Sequence, residues 1–402
     1  MTIRFPGLSR RALLAGGAAA ATTRLFSAPA LAQTAGKPLK IGMVTSLSGP
    51  FTALGESMRA GLQLFLDENK GALAGRAVEF IVEDDQAKPD EGVRKFRKLI
   101  SQDNVDILCG VISSGVALAV RDVVTEAKVL TFISAGSAND LARKATSPYV
   151  FRPTKTNWML GNTAAQWAFD KIAKSGGLSV AADYAAGREY VGDFVAKYQE
   201  LGAKMGKQLW TPLGTTDFGP LLTTIAAEGP QFVYSFFAGS DAVRFLQQMR
   251  EYRLAGRIKL IGTGALFDQE DVLPAVGDAA NGAVNIFHQS PTAPASQAFT
   301  AAYLKFRGKQ PGEMSTSGYV TGQTIKAALE GVQGDLSNKD KVREALLAKP
   351  LDTAFGPMTF DPRNNQAVLD IYVNDVRPGP DGKALNQVIH TYKNVRDPGP
   401  SA

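Results

Sequence analysis

The sequence predicts an α/β protein made of two doubly wound, Rossmann-like lobes. Three observations lead there. Apolar runs rich in β-branched residues alternate with stretches of helical apolar spacing. The alternation runs through once and starts afresh near residue 178. Without an N-terminal leader, roughly 370 residues remain, too many for one ordinary core and suited to two domains. Strand–helix alternation sets strands parallel, with helices covering both faces of each sheet.

In order, Leu39–Leu47 reads as a buried strand, and Glu56–Asn69 spaces Met58, Leu62, Phe65 and Leu66 as a helix does. Ala77–Glu83 is a strand, and Gly92–Gln102 is a helix carrying Val93, Phe96, Leu99 and Ile100 on one face. Val105–Ile112 and Val129–Ser134 are strands with a helix between them. The second series has strands at Leu178–Ala182, Gln231–Phe237 and Ile258–Gly262, with helices at Arg188–Leu201 and Asp241–Tyr252. Helices follow at Ser296–Phe306, Gly318–Val332 and Lys339–Ala348, then an alternating strand at Val368–Val373. The stretch Val376–Lys383, rich in Pro and Gly, reads as a loop.

Residues 1–32 hold Arg4, Arg10, Arg11 and Arg24 and no Asp, Glu or Lys. A charged head, an Ala/Gly/Leu run and the small-x-small exit Ala30-Leu31-Ala32 are the three parts of a secretory signal. The Arg10-Arg11 pair points to twin-arginine export, and a membrane anchor is disfavoured because Arg24 breaks the short apolar run. The net charge of +6 falls to about +2 without this segment. No basic cluster is interleaved with aromatics, so no nucleic-acid partner is expected. The single Cys109 lies in a strand-like run, reads as a buried structural thiol, and is too far from the cleavage site to carry a lipid anchor.

Ligands of open parallel sheets bind outside the carboxyl ends of the strands. Three loops there combine Ser and Gly just before a helix: Leu47–Thr52, Val111–Gly115 and Ser134–Asn139. Backbone N–H groups, helix dipoles and short hydroxyls together make an anion-receiving edge, although helix capping alone would explain any one loop. Catalytic readings find little. Only His288 and His390 are present, with no nucleophile elbow, phosphate loop or dinucleotide fingerprint. His288 is expected to be a satisfied structural imidazole rather than a cleft residue. Glu83, Asp84 and Asp85 are consecutive at a strand end and point in alternate directions, so no metal site is expected there, only loop solvation or capping.

With Ile41-Gly42, Leu47-Ser48-Gly49-Pro50, Glu83–Gln86, Ser113-Ser114, Ser134–Ser137, Phe151-Arg152, Thr216–Phe218 and Gly356–Asp361 in this order, the chain resembles the leucine/isoleucine/valine-type periplasmic solute-binding proteins of ABC transporters. The resemblance spans the chain beyond the leader. It implies the type I periplasmic binding fold: two lobes joined by three crossover strands, closing on one small molecule, with no chemistry and no cofactor. Lobe I would be 38–157 plus 287–365, and lobe II 158–286 plus 366–402. It implies that Ile112, Ser113, Ser114, Ala135, Gly136 and Ser137 surround the ligand carboxylate, with Ser114 and Ser137 gripping it. Leu54 would cover the ligand, and Tyr184, Phe237 and Gly264 would lie in the facing loops. The expected partners are a small carboxylate ligand and an inner-membrane permease, with the protein a periplasmic monomer.

One departure bears on the ligand. Branched-chain amino-acid binders place an acid in the second lobe for the ligand ammonium, and Gly262–Phe267 has none before Asp268. A buried ammonium without a counter-charge costs several kcal/mol, roughly. The expectation is therefore a carboxylate with an apolar or aromatic body, such as a benzoate or hydroxycinnamate. The alternatives are an amino-acid binder and, in another class, a ligand sensor for a signalling partner.

Overall fold

The computed structural model describes residues 37–400, so the expected export signal at 1–32 lies outside the described residues. Two sheets organise the chain. The first comprises β1 (Leu39–Thr45), β2 (Ala72–Leu73), β3 (Arg76–Asp84), β4 (Ile107–Gly110), β5 (Leu130–Ile133) and β6 (Val150–Phe151), linked by α1 (Thr52–Glu68), α2 (Pro89–Ser101) and α3 (Ser114–Ala127). Its order is β2-β3-β1-β4-β5-β6, parallel except for the β2–β3 pair.

The second series runs α4 (Asn157–Lys171), β7 (Gly177–Ala182), α5 (Ala185–Glu200), β8 (Met205–Thr211), α6 (Gly219–Glu228), β9 (Phe232–Phe236), α7 (Ser240–Glu251), β10 (Lys259–Thr263), α8 (Leu273–Val276) and β11 (Val284–Phe287). The last part holds α9 (Gln297–Arg307), α10 (Glu313–Gly331), α11 (Lys339–Leu347), β12 (Leu351–Thr353), β13 (Gly356–Phe360), β14 (Ala367–Pro378) and β15 (Ala384–Val395). The second sheet is ordered β12-β13-β14-β11-β10-β9-β7-β8, with β15 beside β14. Its β8-to-β11 section is parallel, and β12 to β15 are antiparallel. The fold is thus two α/β lobes with mixed sheets.

Strand periodicity builds the layers. In β1, Leu39, Ile41 and Met43 join one core and Val44 the other. In β4, Ile107 and Cys109 share the first core, while Leu108 packs with α2 and α3. The Cys109 thiol is fully buried, and burial raises its pKa well above the ordinary value. Adjacent strand residues face opposite ways, so a strand covered on both sides reads as a continuous apolar run.

The sequence reading did not include α4, β8, α6 or β11, and two further regions differ from it in their bounds. The Val376–Lys383 stretch is not all loop: β14 continues to Pro378, and β15 returns from Ala384. Only the turn between them is irregular. The Pro/Gly signal marked the turn but hid the strand ends, and β15 is too polar to announce itself as a strand. The helix expected from Gly318 begins five residues earlier, at Glu313. Its first turn is entirely buried and carries no amphipathic pattern.

Helices α1 and α10 touch backbone to backbone. A Cβ at Gly61 would lie 1.9 Å from the Ser315 carbonyl oxygen, and one at Gly318 would lie 2.1 Å from that of Met58. Gly61→Ala is expected to destabilise the protein by about 1–3 kcal/mol through forced separation of these helices. Urea unfolding measures it, and an unchanged midpoint would show that the helices part freely.

Candidate functional site

The site begins where the parallel strands end. After β4, Gly110 has φ 104° and Val111 has φ 68°, an unfavourable conformation for a β-branched residue. The Val111 N–H donates to Val44 O at 2.7 Å and turns the chain toward Ile112–Ser114. The loop after β1 is braced by two of the three consecutive acids. Asp84 accepts from the Leu47 N–H at 2.8 Å and the Ser48 hydroxyl at 2.6 Å. Asp85, fully buried, accepts from the Ser46 hydroxyl at 2.6 Å and the Ala87 N–H at 2.8 Å. Burial dominates the Asp85 environment and raises its pKa. Glu83 turns away to Lys95 and Lys98 on α2. The acids therefore serve separate structural tasks, and Asp85 is buried rather than solvated.

Between the two sheet edges lies a cleft with a cavity volume of about 30 Å³. It is a narrow slot. Five helices present their first turn or cap to it: α1 through Phe51 and Leu54, α3 through Ser114, α4 through Asn157, α5 through Tyr184 and Ala186, and α10 through Glu313 and Met314. Each helix start carries roughly half a positive charge, so the convergence favours an anion. The apolar wall is largely aromatic. Phe51 meets Tyr184 at 6.3 Å between ring centroids, Tyr184 meets Phe236 at 6.2 Å, and Tyr190 meets Phe236 at 4.2 Å.

Of the residues singled out from the sequence, Leu54, Ile112, Ser114, Ala135, Ser137 and Tyr184 line this slot. Ser113, Gly136, Phe237 and Gly264 do not. Ser113 is the N-cap of α3. A Cβ on Gly136 would lie 2.7 Å from the Ala117 side chain, so this glycine faces α3. Phe237 packs against Phe218 and Phe245 on the opposite face of the sheet, at 5.1 and 4.7 Å between centroids. Its predecessor Phe236 lines the slot, because alternate strand residues face opposite ways. Gly264 lies under the Phe287 ring, and its neighbour Ala265 reaches the slot. His288 is fully buried beside Phe287 and Phe355, outside the slot. Neither ring nitrogen has a hydrogen-bond partner among the described residues, so the imidazole is not satisfied there, and burial pushes its pKa well down.

Among the wall residues that the sequence reading did not single out are Lys155 and Glu313. Lys155 and Glu313 form an ion pair with side chains only 4% and 2% exposed. An acid thus reaches the slot from α10 rather than from Gly262–Phe267, and it is engaged by Lys155. Glu313 is 158 residues from Lys155 and sits in no recognisable motif, so no local signal could have found it.

A polar network ties the slot together. Ser114 Oγ accepts from the Ser137 N–H at 3.2 Å and from Asn157 Nδ2 at 3.3 Å. The Ser114 hydroxyl proton has no acceptor among the described residues, whereas the Ser137 hydroxyl donates to Ala135 O. Asn157 Nδ2 also donates to Glu189 at 2.7 Å, and Asn157 Oδ1 is buried without a partner among the described residues. Glu189 and Asp193 on α5 accept from Asn139 in the loop after β5, through its N–H at 2.9 Å and its side-chain amide at 2.8 Å. Helix α5 of the second sheet is thereby fastened to a loop of the first.

The geometry is that of two α/β lobes with a slot between their sheet edges, ringed by helix starts. The chain belongs to the periplasmic binding protein family, whose model matches residues 38–383. It is similar to a Leu/Ile/Val-binding protein homolog of Brucella melitensis, 28% identical over 368 residues, covering 90% of this chain and 93% of the relative. Among solved structures it is similar to an ABC transporter substrate-binding protein from Sphaerobacter thermophilus, with TM-score 0.83, 34% identity, and coverage of 90% and 99%. It is also similar to a solute-binding protein of an ABC transporter from Rhodopseudomonas palustris, in complex with 3,4-dihydroxybenzoic acid, with TM-score 0.85, 27% identity, and coverage of 90% and 99%.

Burial raises the Asp193 carboxyl pKa to about 6, with Glu189 and Asp397 adding to it and Asn139 and Arg143 opposing. The folded state then keeps a proton that the unfolded state has lost. Stability falls as pH rises between about 4 and 6. Asp193→Asn is expected to flatten that slope in a pH series of thermal unfolding. An identical slope would mean that the carboxyl titrates alike in both states.

Proposed function

We propose that this chain is the solute receptor of an ABC importer, exported to the periplasm. It works as a monomer that closes on a small carboxylate with an apolar or aromatic body and hands it unchanged to an inner-membrane permease. The observation that carries this is the convergence of five helix starts on one narrow, aromatic-walled slot. The Rhodopseudomonas relative, whose complex holds 3,4-dihydroxybenzoic acid, supports the aromatic body. The slot's narrowness supports a flat ring. Lobe I is proposed as 38–157 plus 287–365 and lobe II as 158–286 plus 366–402, moving as hinged bodies. Among the described residues no helix is long and apolar enough to cross a membrane.

A second reading is an α-amino acid. Glu313 and Asn157 Oδ1, which has no partner among the described residues, are acceptors that could take a ligand ammonium. Titration calorimetry with benzoate, a hydroxycinnamate, leucine and valine separates the two. Binding of an aromatic acid is the expected result. Leucine binding without any aromatic-acid binding rejects the first reading in favour of the second. Recovery of the ligand unchanged after incubation checks that there is no turnover.

Ser114→Ala is expected to weaken carboxylate binding by about 1–3 kcal/mol, because its hydroxyl proton is free to donate. Ser137→Ala is expected to cost less, since that hydroxyl already donates to Ala135 O. Equal losses, or none, in the same calorimetric experiment would place the carboxylate elsewhere.

A further inference from the structure

We propose that Lys155 is the counter-cation of the ligand carboxylate, and that Glu313 is the positioning residue that holds its ammonium in the wall of the slot. The inference deepens the reading of the chain as a carboxylate receptor and rests on it.

The pair is nearly excluded from water, with side chains 4% and 2% exposed. Stability gives little reason to keep such a pair, since desolvating two ions costs about as much as their attraction returns. Well-packed apolar residues of similar size often serve a fold as well or better. This pair lies in the wall of the cleft rather than in the core behind it.

Its placement points the same way. Lys155 stands in the segment between β6 and α4, two residues before Asn157, whose amide lies 3.3 Å from Ser114 Oγ. The cation thus stands two residues from the amide that donates to Ser114, the proposed carboxylate donor. An ammonium has three protons to donate, and the one hydrogen bond of the Lys155 ammonium among the described residues goes to Glu313. The Phe287 ring lies 5.7 Å from Nζ and supports the cation from a second side.

Glu313 is anchored from behind. Its N–H donates to Asp268 Oδ2 at 2.7 Å, and it occupies the first position of α10, where the dipole stabilises a carboxylate. Lys155 and Glu313 cancel in charge, so the pair adds no net charge to the slot.

A structural bridge makes its two partners equivalent, whereas a counter-cation and its holder are unequal in effect. Calorimetry with benzoate and the uncharged benzamide on the full chain, alongside Lys155→Met, Glu313→Gln and the double variant Lys155→Met/Glu313→Leu, exposes the difference. The double variant leaves no unpaired ion and keeps the test valid if Lys155→Met fails to fold, as judged by thermal unfolding. Expected are a benzoate loss of about tenfold or more in the variants lacking Lys155, and benzamide affinity within about threefold of wild type. Glu313→Gln is expected to weaken benzoate binding by less than Lys155→Met does, because the amide oxygen at that position can still accept from the Lys155 ammonium. Undiminished benzoate affinity in the double variant overturns the proposal, as do equal losses from Lys155→Met and Glu313→Gln. If the wild type takes leucine and refuses benzoate, the aromatic-acid reading fails, and leucine against leucinamide then decides the role of Lys155 by the same comparison.

Discussion

In a parallel strand–helix repeat, every helix starts at the carboxyl edge of its sheet. The chain leaves a strand, turns, and begins a helix whose unpaired N–H groups point outward from that edge. When two such sheets face each other, the positive ends of several helices meet. Here α1, α3, α4, α5 and α10 meet around one slot. Water serves exposed N–H groups, but a narrow cleft offers little of it, and the helix starts there need acceptors or an anion. The Ser-rich loops, the buried acids beside them and the shape of the slot all answer that demand.

The same constraint explains the density of buried polar groups around the cleft. Asp84 and Asp85 occupy the N–H groups of the β1 loop. Asp268 occupies the start of α10, and Glu189 takes the Asn139 N–H across the cleft. Arg152, fully buried, donates to Ala138 O at 2.9 Å and ties β6 to the Ser137 loop. Close approach matters as much as charge. Gly239, with φ 57°, lets the loop after β9 reach Pro50, whose carbonyl oxygen would lie 2.4 Å from any Cβ there. A side chain at that point would wedge the loops of the two sheets apart.

Much of this was legible in the sequence, and the misses have physical causes. Ser114 and Ser137 could be found because a Ser/Gly loop before a helix is a local pattern. Of the adjacent Phe236 and Phe237, Phe236 lines the slot and Phe237 packs behind the sheet, because neighbouring strand residues face opposite ways. Helix α4 was not read as a helix because most of one side and part of the other are buried, which blurs the amphipathic spacing. Strand β15 is polar along most of its length and exists as a partner of β14.

The sequence by itself determined the α/β class, the double run of strands and helices, and the Ser/Gly loops at the carboxyl ends of the first strands. These depend on short-range features: side-chain period, turn residues and helix starts. Tertiary structure decided which neighbour of each candidate faces the slot, that a histidine lies outside it, and that an acid reaches it from α10 rather than from Gly262–Phe267. The Lys155–Glu313 pair joins positions 158 residues apart. Nothing in either neighbourhood specifies the other. Only the packing of α10 beside the carboxyl edges of the sheets brings the two charges together, and burial there makes the pairing obligatory.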